Sequence, residues 1–192
     1  MTRIAIFASG SGSNAAKIIE YFKKDRDTRV TLVVSNNPDA GVLDIAAAES
    51  IPTLIIEKNA FFRIDGYVPY LKNHQIDFIV LAGFLWKIPL SLISAYPNSI
   101  VNIHPALLPQ YGGKGMYGMK VHTAVIGAGE KESGITIHFV DEKYDTGTVI
   151  FQERCSIAEG DSPEMLAQKI HSLEHMHFPR IIDQVIKLQN QR

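Results

Sequence analysis

The chain has 192 residues, 46% of them hydrophobic and 20% charged, which supplies a buried core and is too weakly charged for a disordered polymer. Nineteen basic residues nearly balance 20 acidic ones, so the formal charge of -1 gives no general attraction to nucleic acid or an anionic membrane. A single cysteine, Cys155, excludes an internal disulfide and fits a reducing compartment.

The opening residues, MTRIAIFASGSGSN, hold one basic residue and an apolar stretch too short for a signal-peptide core, so they read as a first strand entering a glycine-rich turn. No apolar run approaches the roughly 18 residues of a membrane span. The expectation is one cytoplasmic α/β domain over residues 1–192.

Strands are predicted at residues 3–8, 30–35, 53–56, 77–82 and 100–103. Their cores, IAIFA, TLVV and FIVLA, are apolar throughout, as strands covered on both faces must be. Ala15, Ile18, Ile19 and Phe22 recur at i, i+3, i+4 and i+7, a helical stripe directly after the glycine turn. Further helices are expected over residues 41–49 and 65–73, with Phe61 and Phe62 packing beneath the second of these. Beyond Pro109 the chain carries Gly112, Gly113, Gly115 and Gly118, then a short helix near Val121, then GITIHFV and TVIFQERCSI. Those two runs flank DEKYDTG and should pair antiparallel, with Cys155 buried in the second and residues 141–143 in a solvated turn. The tail from Ser162 reads as a helix with Leu166, Ile170 and Leu173 on one face, interrupted near Pro179 and resuming at Ile181. The fold class is therefore an open, mostly parallel Rossmann-like sheet flanked by helices, ending in antiparallel strands and a helical tail.

Three features bear on chemistry. The turn Ser9-Gly10-Ser11-Gly12-Ser13-Asn14 joins a strand to a helix, where backbone N–H groups and the helix dipole favour a phosphate. Its spacing also satisfies a dinucleotide fingerprint, but the second strand ends Ser35-Asn36-Asn37 without the acid that would hold ribose hydroxyls. The absence of a Gly-Lys-Ser/Thr ending disfavours a Walker loop. Asn102 and His104 lie two residues apart at the end of the fifth strand and so face one side of it. An amide and an imidazolium there, with a carboxylate such as Asp145 in the DTG turn, suit attack of an amine on a carbonyl. Finally, His171-Ser172-Leu173-Glu174-His175 matches an inverted zincin motif, a pattern that a histidine-rich helix produces by chance, and no metal is expected.

SGSGSN, LAGF, NIHPALLPQY, HTAV, GITIHFV and the DTG turn appear in an order that resembles the glycinamide ribonucleotide formyltransferases, the folate-dependent transformylases. The likeness spans nearly the whole chain. It implies Asn102, His104 and Asp145 as the catalytic trio, and Gly12, Ser13, Asn14 and Glu174 as contacts of glycinamide ribonucleotide. It implies Arg63, Leu85, Trp86, Lys87, Ile88, Asn102, Val140, Asp141 and Asp145 around 10-formyltetrahydrofolate as co-substrate, with His138 beside the trio. The chain would act as a monomer or homodimer.

Some residues depart from the family pattern. Trp86 and Lys87 stand where the family commonly has an arginine, and Arg63 is out of clean register with another. Methionyl-tRNA formyltransferase and formyltetrahydrofolate hydrolase share the Asn-x-His-Pro element but usually carry a further domain, for which this length leaves no room. A nucleotide-binding regulatory module, using the glycine turn without turnover, is the non-enzymatic alternative.

Overall fold

The computed structural model describes residues 1–191. Seven strands form one sheet in the order β3-β2-β1-β4-β5-β6-β7. They are β1 (Thr2–Phe7), β2 (Thr28–Ser35), β3 (Thr53–Ile55), β4 (Phe78–Leu81), β5 (Ile100–His104), β6 (Glu132–Phe139) and β7 (Val149–Ser156). The first five are mutually parallel, and β6 and β7 run antiparallel to their neighbours.

The apolar runs are continuous because both sheet faces are covered. Ile4 and Ile6 of β1 and Phe78 and Val80 of β4 enter one core, whereas Ala5, Phe7, Ile79 and Leu81 enter the other. The first core is closed by α1 (Ser13–Phe22), α2 (Val42–Ala48), α6 (Met119–Gly127) and α7 (Pro163–Asn190). The second is closed by α3 (Lys58–Phe61), α4 (Val68–Asn73) and α5 (Leu90–Ala95).

The structure departs from the sequence reading in several places, among them an additional helix, α5, that the reading does not contain. The helix expected over residues 65–73 begins only at Val68, because Pro69 fits the first turn, where no N–H partner is needed, and α3 stands apart before it. Phe61 is fully buried, but Phe62 remains 46% exposed instead of packing beneath that helix. The tail is one helix of 28 residues passing through Pro179, not two segments. Proline deletes one backbone bond there, while burial of Phe178, Ile181, Ile182, Val185 and Ile186 keeps both sides of the break on the core. Cys155 is half-buried against the first core, and burial raises its thiol pKa.

The chain turns from β1 toward β2 on one side and toward β4 on the other. Such a reversal of strand order opens a crevice at the strand carboxyl ends. The glycine turn after β1 and Gly83 after β4 form its two lips. They are tied where Ser9 N–H donates to Gly83 O at 3.1 Å and Leu85 N–H donates to Ser9 Oγ at 3.0 Å.

Candidate active site

A cleft of about 600 Å³ occupies that crevice and runs from the glycine turn, past the end of β5, to the loop between β6 and β7. Its volume is in the range of sites for organic ligands.

At one end, Gly12 takes φ +80° ahead of α1, and a Cβ there would lie 2.8 Å from Val42 Cα, so only glycine lets the turn close against α2. The helix has neither a side-chain cap nor an acid in its first turn, which leaves its leading N–H groups free for an anion. Asn14 donates from Nδ2 to Glu174 Oε2 at 2.9 Å, binding the turn to α7. Asn14 Oδ1 is buried without a partner. Burial raises the Glu174 carboxyl pKa, an effect the Asn14 amide and His171 oppose.

At the other end stands the strand tip. Asn102 and His104 alternate with the core residues Val101 and Ile103 and therefore share a face. Antiparallel pairing sets Asn102 opposite His138, and Asn102 Nδ2 lies 3.1 Å from His138 Nε2. His138 Nδ1 donates to Phe139 O at 2.8 Å, which leaves Nε2 to accept from the amide. The carboxylate of Asp145, only 11% exposed, straddles both rings: Oδ2 is 3.6 Å from His104 Nδ1 and Oδ1 is 3.6 Å from His138 Nε2. Gly113 N–H donates to Asp145 Oδ2 at 2.8 Å.

The proton on His104 can be located. Its Nε2 lies 2.8 Å from the carbonyl oxygen of Tyr111, which only accepts, so Nε2 carries the hydrogen and Nδ1 faces Asp145. Burial lowers the His104 pKa, more than Asp145 and the Tyr111 carbonyl raise it, with His138 adding a further lowering. For Asp145 burial acts upward, but the neighbouring His138 and His104 rings and the Gly113 N–H bring its pKa below the ordinary value. At neutral pH the pair thus presents a carboxylate and an imidazole lone pair, two acceptors with no proton between them. The arrangement fits a donor such as an amine.

All but one of the residues singled out from sequence line this cleft: Gly12, Ser13, Asn14, Leu85, Trp86, Lys87, Ile88, Asn102, His104, Val140, Asp141, Asp145 and Glu174. Arg63 is exposed just beyond α3 and does not line it. Trp86 packs near Phe61, Phe62 and Phe84, with ring centroids 5.7, 6.2 and 6.3 Å away, forming an aromatic wall. His138, paired with Asn102, belongs among these residues as well.

His122 enters the sequence reading only as part of the HTAV run, without a role. It is 2% exposed on α6, lines the cleft, and has an unpartnered Nδ1. Only the packing of α6 on α7 brings it near His171, a proximity without local signal. Burial, followed by His171 and His104, lowers its pKa to about 4. The folded value lies below the unfolded one, so the associated stability is present above about pH 6.5 and declines as pH falls toward about 4. Urea unfolding midpoints at pH 7.5 and pH 5 should therefore differ, with His122 supplying up to about 1.4 kcal/mol per pH unit. His122→Gln should flatten that slope; an unchanged slope would assign it to other groups.

The His171 and His175 rings are 6.2 Å apart, and the intervening Glu174 carboxylate is held by Asn14. Among the described residues no group of three or more His, Cys, Asp or Glu side chains is placed to hold a metal ion. Among the same residues no helix is long and apolar enough to cross a membrane.

The family model described as formyl transferase matches residues 2–182. The chain belongs to the formyl transferase family. Among curated formyl transferases, it is 41% identical over 186 residues to the chloroplastic phosphoribosylglycinamide formyltransferase of Arabidopsis thaliana, covering 94% of this chain and 64% of that relative. It thus spans less than two thirds of that relative's length. Against the phosphoribosylglycinamide formyltransferase of Bacillus subtilis (strain 168), identity is 37% over 195 residues, covering 99% of this chain and 97% of the relative. The crystal structure of phosphoribosylglycinamide formyltransferase from Bacillus halodurans superposes with a TM-score of 0.87 at 38% identity, covering 96% of this chain and 95% of that one. The formyl transferase architecture thus includes the antiparallel hairpin that carries Asp145.

Proposed function

We propose that the chain, acting as one formyltransferase domain, moves the formyl group of 10-formyltetrahydrofolate to the amine of glycinamide ribonucleotide in purine biosynthesis. The observation that carries this reading is the meeting of His104 Nδ1, Asp145 and the Asn102 amide in a cleft whose far end is an uncapped helix N-terminus. The relatives named for this reaction support it.

The free first-turn N–H groups of α1 receive the ribonucleotide phosphate, with Ser13 beside them. Glu174 accepts hydrogen bonds from the ribonucleotide, and the buried Asn14 Oδ1 takes another donor. The folate lies against Leu85, Trp86, Lys87 and Ile88 on one lip and Val140 and Asp141 on the other. With both ligands seated, the acceptor amine attacks the formyl carbon. Negative charge then develops on the formyl oxygen, where the second N–H of Asn102 can donate while its first engages His138. The proton of the attacking amine passes to the acceptor pair, His104 Nδ1 and Asp145. The resulting imidazolium is held by the Asp145 carboxylate and returns a proton to the departing folate nitrogen. His104 therefore begins as a neutral base and ends as an acid.

The discriminating assay supplies 10-formyltetrahydrofolate with and without glycinamide ribonucleotide. Folate product that depends on the acceptor is expected. Product released without it would favour a hydrolase, and no product would favour a regulatory module.

A further inference from the structure

The short turn over residues 111–113 makes two contacts that belong together. Tyr111 O accepts the His104 Nε2–H at 2.8 Å, and Gly113 N–H donates to Asp145 Oδ2 at 2.8 Å. One turn thus fixes both members of the proton-accepting pair. It does so in a disfavoured conformation, because Tyr111 has φ +56°, a left-handed backbone that costs a non-glycine residue on the order of 1 kcal/mol. Something must hold it. The phenol is the visible anchor: Tyr111 Oη donates to Glu130 Oε1 at 2.7 Å, and Glu130 lies in the short connection between α6 and β6. The hydrogen bond to the Glu130 carboxylate also raises the phenol pKa, which keeps the hydroxyl protonated as donor.

We propose that Tyr111 is a positioning residue whose phenol, bonded to Glu130, holds the turn that fixes the His104 tautomer and the Asp145 carboxylate. This rests on the reading of His104 as the proton acceptor. Were the turn to relax, His104 would lose its carbonyl partner, and the neutral ring would distribute its hydrogen between both nitrogens. The groups facing His104 are Asp145, His138, His122 and the Tyr111 carbonyl, so the titration of His104 reports on all four together.

Tyr111→Phe preserves the ring and removes only the hydroxyl. Its kcat is expected to fall about 5- to 20-fold, with both KM values within about twofold of wild type. Nitrogen-15 NMR of the ligand-free protein supplies a readout independent of turnover: neutral His104 should be almost wholly the Nε2–H tautomer in wild type and mixed in Tyr111→Phe. Glu130→Ala should reproduce both changes, and Glu130→Gln, which keeps an oxygen acceptor, should recover most of the lost rate. Wild-type kcat and tautomer in Tyr111→Phe would overturn the proposal, as would Glu130→Gln no better than Glu130→Ala. If the protein formylates a different acceptor, the NMR result still tests the positioning role on its own.

Discussion

Replacing His104 with alanine is expected to lower kcat about 10²- to 10⁴-fold while both KM values change by no more than about threefold. The ring is 4% exposed, lies at the strand tip, and turns its lone pair toward Asp145, 3.6 Å away, so it gains most as the amine proton is transferred. Under the proposed reading little ground-state binding depends on it, because that reading assigns the phosphate and most of the folate to other residues of the cleft. Asp145→Asn should also cost kcat, by about 10²-fold or more, since the imidazolium then forms beside a neutral amide. The pH profile follows from the sign of the His104 shift. Its pKa is lowered from 6.5 by burial, and the neutral form is the base, so kcat/KM should hold down to about pH 6.5 and fall only below it. Steady-state kinetics across pH 5 to 8 measures this, and rates in His104→Ala near wild type would remove the role.

Gly147→Ala is the second change expected to have a large effect. Gly147 lies two residues after Asp145, against the Phe139 carbonyl, and an added Cβ would collide with that oxygen. Backbone cannot yield as a flexible side chain can. The hairpin must open where Phe139 N–H donates to Thr148 O at 2.9 Å, and Asp145, itself at φ +56°, moves with it. Overpacking of this kind costs about 1–3 kcal/mol in stability. Displacement of a catalytic group by about 1 Å can cost a further 10²-fold in rate. Thermal unfolding and kcat should fall together; loss of stability with kcat intact would show that the hairpin repairs itself without moving Asp145.

The contrast between these sites shows what sequence can reveal. Parallel strands were legible because IAIFA and FIVLA have no polar face, a pattern that forces cover on both sides. Asn102 and His104 were legible as a pair because a strand repeats every two residues. Asp145 is 41 positions beyond His104 and reaches it only through antiparallel pairing of β5, β6 and β7, so its chemistry makes it a candidate carboxylate and the family resemblance strengthens it, with no spacing to place it. Pro179 misled, because the local rule against helical proline was outweighed by apolar burial on both sides of it. Tyr111 meets His104 through its backbone carbonyl, and His122 comes near His171 only through the packing of α6 on α7. Neither placement leaves a mark in residue spacing.

The most direct test of the central claim is a crystal structure with glycinamide ribonucleotide and a non-transferring analogue of 10-formyltetrahydrofolate bound together. The acceptor amine is expected about 2.7–3.2 Å from His104 Nδ1 or Asp145 Oδ2, with the phosphate on the first-turn N–H groups of α1. An amine pointing away from both acceptors, or a phosphate seated elsewhere, would contradict it.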